Sequence, residues 1–214
     1  MTRLIICRHA NTFDKGDVVT RVGARTDLPL SSSGLEQAKF LAEQFSTQTS
    51  DFNFKRAYCS SLQRTKATGD IILRTGGHCA KDLSSLPFLT EIDYGIDENK
   101  SEENVIKRLG LDAIKLWDEK AIPPEGWEVD PKAIINSWRQ FFNHIRHLSG
   151  DTLVVSSNGI TRFALDAADE IATDAPRKLR TAAFGQVDFT ADKITVVNWD
   201  NREVLESARK ALKE

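Results

Sequence analysis

At 214 residues the chain is long enough to bury one substantial core, so a single domain spanning residues 1–214 is expected. Its 28% charged and 40% hydrophobic residues are ordinary for a globular protein in water, and a formal net charge of -2 leaves no basic excess to neutralise nucleic-acid phosphates. No apolar run approaches the length of a membrane span, and Met1-Thr2-Arg3 leads directly into a strand-like segment rather than a signal peptide. Neither nucleic acid nor a membrane is an expected partner.

Cys7 and Cys59 lie inside apolar strand-like runs and read as small buried hydrophobes. With Cys79 they show no C-x-x-C spacing, and their odd number argues against a disulfide framework; a reducing cytoplasm fits this usage. The histidines are His9, His78, His144 and His147, and the last two stand at i, i+3 without an acidic or cysteine partner at metal-ligand spacing. That pair reads as a solvated face. No metal and no cofactor is expected.

The first strand is Leu4-Ile5-Ile6-Cys7, an apolar run suited to burial on both faces, and Arg8 and His9 arrive together at its end. A cation and an imidazole there stand where open α/β sheets bind ligands. Asp14 to Thr26 is a polar, glycine-containing loop, and Pro29 keeps Leu28 extended. Ser31 to Ser33 offer N-caps to a helix whose Leu35, Ala38, Leu41, Ala42 and Phe45 recur at helical spacing.

Arg56-Ala57-Tyr58-Cys59-Ser60 reads as the second strand. Ser60 or Ser61 is then placed to cap a helix through Leu62, Thr65, Ile71 and Ile72, with Arg64 in its first turn. A helix N-terminus favours anions over cations, so Arg64 is either there for an anion held nearby or a plain surface arginine. Gly76-Gly77 ends this helix, and Cys79 to Leu83 is expected as a short edge strand.

Periodicity weakens from Leu86 to Asp130, which makes residues 86–130 the candidate cap. Within it, Ser101, Glu102 and Glu103 open a helix running towards Trp117, and Pro123 to Trp127 form a loop. Trp117 and Trp127 are packing residues or substrate walls. Ile134, Ile135, Trp138, Phe141, Phe142, Ile145 and Leu148 mark an amphipathic helix. Thr152 to Ser156 is a buried strand that breaks at Ser157-Asn158-Gly159, after which Ile160, Phe163, Ala164 and Ala167 resume a helical period. Ala183 to Phe189 and Ile194 to Trp199 are the last two strands, joined by a tight turn near Asp192, and Val204, Leu205, Ala208 and Leu212 give a terminal helix. Such alternation indicates an α/β protein whose mostly parallel central sheet is flanked by helices, a three-layer sandwich.

Three strands thus end in polar residues: Arg8-His9, Ser60-Ser61 with Arg64 a turn later, and Ser157-Asn158-Gly159. As neighbours they would converge on one pocket holding what phosphate binding needs, with an imidazole suited to accept a phosphoryl group.

Arg8-His9-Ala10-Asn11-Thr12 resembles the Arg-His-Gly-x-Thr signature of the histidine phosphatase superfamily, the phosphoglycerate mutase-like proteins. Asp27-Leu28-Pro29-Leu30, with Gly34, Gln37 and Ala38, is similar to the family's Asp-x-Pro-Leu segment and the helix after it. Ser60-Ser61-Leu62-Gln63-Arg64-Thr65 with Thr68 resembles its second-arginine motif. Glu91 to Glu98, around Gly95, resembles the segment bearing its acidic residue. Val154-Val155-Ser156, followed by Gly159 and Arg162, is similar to the strand that delivers its second histidine.

The resemblance implies a phosphoglycerate mutase-like fold over nearly the whole chain. It also implies His9 as the phosphorylated nucleophile, Arg8 and Arg64 as phosphate clamps, and Glu91 as proton donor to the leaving oxygen and base for water. Asn11, Thr12, Ser157 and Asn158 become phosphate or substrate contacts, Asn158 through its backbone amide. Three departures stand out: Ser157 and Asn158 occupy the places of the second histidine and its following glycine, Ala10 replaces the first motif's glycine, and the Gly23 to Asp27 spacing is one residue longer. Losing a charge-assisted donor from such a site costs roughly 2.7–4 kcal/mol. The expected function is a phosphatase of reduced or altered activity acting on a small phosphorylated substrate or a phosphoprotein. A degenerate module that binds a phosphorylated ligand or protein is the alternative, and a mutase the third. No feature of the sequence sets an oligomeric state.

Overall fold

Leu4, Ile5, Ile6 and Cys7 are completely buried, each in a strand with helices on both sides. The computed structural model describes residues 2–48, 50–80, 82–174 and 176–202. In chain order the elements are β1 (Thr2–Arg8), α1 (Ser32–Gln44), β2 (Phe54–Cys59), α2 (Gln63–Gly76), β3 (Leu83–Ser85), α3 (Glu102–Leu109), α4 (Leu111–Lys120), α5 (Pro131–Ile145), β4 (Asp151–Ser156), α6 (Asn158–Thr161), α7 (Ala164–Ala167), β5 (Glu170–Ile171), β6 (Phe184–Phe189) and β7 (Ile194–Asn201). Short 3-10 turns at Pro87–Leu89 and Gly95–Asp97 interrupt the stretch between β3 and α3.

The strands form a single sheet in the order β3-β2-β4-β1-β6-β7-β5. Only β6 runs against the rest, pairing antiparallel with both β1 and β7, so the sheet is mostly parallel. Because side chains alternate across a strand, Leu4 and Ile6 enter a core with Trp138, Phe142 and Val154, while Ile5 and Cys7 enter another with Ala38, Leu41 and Ile72. The first core lies under α5 and the second under α1 and α2. Full burial of Ile5 and Ile6 contributes roughly 1.5–3 kcal/mol each. The apolar run of β1 is therefore continuous because both of its faces are interior.

Local chemistry explains most element boundaries. Ser31 caps α1 by accepting from Gly34 N at 3.2 Å, and Asp130 caps α5 ahead of Pro131 by accepting from Ala133 N at 3.0 Å. The start of α2 departs from expectation, because neither Ser60 nor Ser61 caps it. Ser60 Oγ bonds Thr65 Oγ1 at 2.7 Å, and Asp27, from a distant loop, accepts from Gln63 N at 2.7 Å. The edge strand lies at Leu83–Ser85, later than Cys79 to Leu83, where Leu83 packs over the bare Cα of Gly69. The helix expected from Ser101 to Trp117 is two helices, divided at Gly110 with φ of +81°. Likewise α6 and α7 divide the helical stretch after β4, and the two-residue β5 gave no periodic signal. The terminal helix expected over Val204 to Leu212 lies outside the described residues. Among the described residues no helix is long and apolar enough to cross a membrane.

Candidate active site

Parallel pairing of β1 with β4 places Arg8 opposite Ser156, and His9 N donates to Ser156 O at 3.0 Å. The carboxyl ends of these central strands therefore stop side by side. They open on a cavity of about 800 Å³. Arg8, His9, Asn11 and Thr12 line it from the end of β1, Glu91 and Tyr94 from the loop before α3, and Asn158 and Arg162 from the segment after β4. Trp117 and Asp118 of α4 and Arg21 of the loop after β1 form further walls.

His9 is held in one protonation pattern. Its Nδ1–H donates to the Ala10 carbonyl at 2.8 Å, so in the neutral ring the lone pair sits on Nε2. Burial, then the charges of Arg64 and Arg8, push its pKa well below the usual histidine value. The ring is a neutral base among cations.

The two arginines differ in placement. Arg8 lines the cavity, with Nη1 donating to Leu179 O at 2.8 Å and Nε without a hydrogen-bond partner among the described residues. Arg64 is fully buried outside the cavity wall, so the surface-arginine alternative is corrected. Its Nη1 donates to Thr26 O at 2.8 Å and its Nη2 to Gly23 O at 3.2 Å. The loop that receives it is gathered by Glu98, whose carboxylate accepts from Gly23 N, Arg25 N, Thr26 Oγ1 and Tyr94 N. Glu98 is thus an organising residue with no sequence signal beyond its place in the acidic segment.

Glu91 is buried, and Ile92 N and Gly159 N donate to its two oxygens at 2.9 and 3.3 Å. Burial raises its pKa, against the opposing pull of those amides, Arg64 and Arg8. A Cβ on Gly159 would stand 2.3 Å from Glu91 Oε1, so glycine is needed for the carboxyl group to approach this backbone. The acid and the imidazole are thus biased in opposite directions, one towards holding its proton and the other towards lacking one.

Asn11 turns its Oδ1 to Thr181 Oγ1 at 2.6 Å, and its amide donates to Gln37 of α1 at 2.9 Å. Ser157 is fully enclosed, is not a wall of the cavity, and has a hydroxyl without a hydrogen-bond partner among the described residues. Asn158, one residue later, is a wall. Arg162, quoted as part of a motif but given no role, stacks 4.1 Å over Trp117 and donates to the carbonyls of Trp117 and Asn158. Trp117 is both a packing residue and a wall, whereas Trp127 packs against Tyr94 and donates to Asp97 at 2.7 Å. Arg21, Tyr94, Lys178 and Thr181 were missed, since loop residues carry no period from which burial can be read.

His78 packs against Phe54 and His144 and His147 are exposed, so His9 is the one histidine in the cavity wall. All three cysteines are free thiols, Cys7 and Cys59 buried and Cys79 exposed. Among the described residues, no group of three or more His, Cys, Asp or Glu side chains is disposed to hold a metal ion.

An α/β sheet with an imidazole and arginine at the end of its central strand defines a class, and the comparison with known families names it. Residues 4–202 match the histidine phosphatase superfamily (branch 1), and the chain belongs to that family. It is 24% identical over 168 residues to a phosphoglycerate mutase of Schizosaccharomyces pombe, covering 76% of each chain. Its fold is that of a phosphoglycerate mutase from Bacillus anthracis, with TM-score 0.75, 19% identity and coverage of 97% of this chain and 96% of that one. A phosphoserine phosphatase from Entamoeba histolytica, solved with 3-phosphoglyceric acid, matches with TM-score 0.71 and 18% identity over 96% of this chain and 100% of that one.

Proposed function

We propose that this chain hydrolyses a small phosphate monoester through a phosphohistidine at His9. The observation that carries the reading is that His9, with Nδ1–H held by the Ala10 carbonyl, shares a cavity wall with Arg8 and with Glu91, a carboxyl of raised pKa. In the first step Nε2 attacks phosphorus, the bond to the leaving oxygen breaks, and Glu91 gives that oxygen its proton. In the second, water attacks the phosphohistidine, Glu91 takes the water's proton, the N–P bond breaks and inorganic phosphate leaves. Arg8 contacts the phosphoryl oxygens, with Asn11 and Thr12 beside it, and Arg64 supplies positive potential from behind the wall.

A cavity of about 800 Å³ suits a small molecule better than a folded phosphoprotein. Relatives named as phosphatase and as mutase make either acceptor, water or a second hydroxyl, an outcome of the same assay. Three free thiols suit a reducing compartment, the cytoplasm. We treat residues 1–214 as one domain and 86–130 as a cap, because Glu91, Tyr94 and Trp117 all reach the cavity. Ser157, in the place of a second histidine, slows the reaction, and its enclosed hydroxyl is what favours a second reading, a module that binds phosphorylated ligands without turnover.

Incubation with an activated aryl phosphate, followed by acid and base treatment, tests the proposal. An acid-labile, base-stable phosphate that disappears in His9→Ala, with a loss of turnover of about a thousandfold or more, is expected, equivalent to roughly 4 kcal/mol. Label that persists in His9→Ala overturns the nucleophile assignment. Binding of inorganic phosphate with neither label nor turnover selects the non-catalytic module.

A further inference from the structure

Between His9 and Glu91 lies one polar side chain whose orientation is set by the protein and whose free end the proposed chemistry has not yet used. Ser156 O accepts from His9 N at 3.0 Å, and Gly159 N donates to Glu91 at 3.3 Å. Asn158 stands between these anchors, is 8% exposed and lines the cavity. Leu179 N donates to Asn158 Oδ1 at 2.9 Å, and a backbone N–H has no other role than donor, so that end of the amide must be the oxygen. The other end is the Nδ2 amino group, which has no acceptor among the described residues. Leu179 O receives Arg8 Nη1 at 2.8 Å, so the same residue that fixes the amide also fixes the guanidinium.

We propose that Asn158 is a catalytic residue of this site. Its Nδ2 donates to a non-bridging oxygen of the phosphoryl group transferred to His9, beside Arg8. This rests on the hydrolase reading above and adds a side chain that had been credited only through its backbone amide. The neighbouring Ser157 does not compete for the role, because its enclosed hydroxyl is not part of the wall. A neutral amide cannot be lost by titration near neutrality, and it binds phosphoryl oxygens more weakly than a cation does. The donor is aimed before substrate arrives, which is what makes it effective as charge shifts among the oxygens.

The alternative role is positioning only, with Oδ1 holding Leu179 and through it Arg8. Two variants separate them. Asn158→Asp keeps an acceptor for Leu179 N–H and changes only the donor, into an oxygen that repels phosphate. Asn158→Ala removes both. With p-nitrophenyl phosphate, kcat is expected to fall about a hundredfold in Asn158→Ala and by at least as much in Asn158→Asp. The Asp defect should shrink relative to the unaltered protein as pH falls into the carboxyl range, where the protonated group donates again. Asn158→Asp within about threefold of the unaltered protein, while Asn158→Ala is impaired, overturns the donor and leaves an anchor. If Asn158→Asp does not fold, inhibition by inorganic phosphate of Asn158→Ala in an Arg8→Ala background decides: about tenfold weaker than Arg8→Ala alone supports the donor, and no further loss leaves an anchor that acts through Arg8. An unaltered protein with neither turnover nor a His9 label defeats the hydrolase reading instead. Calorimetric binding of inorganic phosphate, compared between it and Asn158→Asp, in which the Leu179 anchor is kept, then reads the donor, and equal affinities overturn it.

Discussion

β1 and β4 are adjacent and parallel, both are buried through their middle residues, and they stop at the same level, yet their ends deliver different kinds of chemistry. β1 hands over charged and nucleophilic side chains, Arg8 and His9, backed by the α1 terminus through Ser31 N bonded to Asn11 O at 3.0 Å. β4 hands over backbone groups and neutral side chains: the Ser156 carbonyl to His9, the Gly159 amide to Glu91, and Asn158 to Leu179. The comparison shows that a strand end need not carry a charge to shape a charged site. What β4 lacks in ionic groups it supplies as fixed dipoles, and such dipoles are effective where burial has removed water.

The strongest way to break this comparison is to disconnect Glu91, the group that the β4 side holds for the β1 side. Glu91→Gln is expected to lower kcat by about 10²–10⁴-fold on an alkyl phosphate, whose leaving oxygen needs a proton, and much less on an aryl phosphate. Equal losses on both make Glu91 structural. The sign of the pH effects follows from the two shifts. Burial holds Glu91 protonated above the ordinary carboxylate range, so activity falls on the alkaline side through that raised value, a limb that Glu91→Gln should lose. His9, with its lowered pKa, loses its free lone pair only below the usual histidine range. Stability follows the same sign: the raised Glu91 value favours the fold below the ordinary carboxylate range, and this is lost as pH rises through the raised value. Thermal melts between about pH 4 and about pH 8 should therefore show Glu91→Gln gaining on the unaltered protein as pH increases.

A smaller change makes the two strand ends more alike. Ser157→His adds an ionisable donor to β4, and kcat is expected to rise about tenfold, near 1.4 kcal/mol. Because Ser157 is fully enclosed, the larger ring should also lower stability, by about 1–3 kcal/mol of overpacking. Steady-state kinetics and a melt on the same sample check both halves, and an unchanged kcat in a folded variant removes position 157 from the chemistry. The smallest expected effect concerns β2, whose end feeds the site through Arg64. Asp27→Ala removes the acceptor for Gln63 N at the start of α2 and should cost about 1 kcal/mol in a denaturant titration. An unchanged midpoint would assign the cap to solvent.

Buried strands and amphipathic helices were legible because their signals are local. Leu4 to Cys7, Thr152 to Ser156 and the Ile134 to Ile145 stripe declare a period or an unbroken apolar run within a few residues. His9 and Arg8 were legible from a motif at a strand end and Glu91 from its likeness to the family's acidic segment, and the cavity does bring those residues together with Asn11, Thr12 and Asn158. The fold encloses Ser157 and puts Asn158 in the wall, since adjacent residues at the end of a strand diverge and only the turn that follows decides which one faces the opening. Arg64 shows the same limit: its helix position was plain, but its enclosure by Gly23 and Thr26 depends on a loop gathered by Glu98, far along the chain.

By itself the sequence determined the α/β layering, the burial of β1 on both faces and the residues at the strand ends, because periodicity and residue chemistry act over a handful of positions. Tertiary structure alone decided that Asp27 rather than Ser60 or Ser61 meets the start of α2, that Gly159 makes room for the Glu91 carboxyl, and that Leu179 takes the side-chain oxygen of Asn158. Each of these is a contact between residues distant in sequence. Its partner is selected by how the sheet orders its strands, a choice that no local pattern of side chains records.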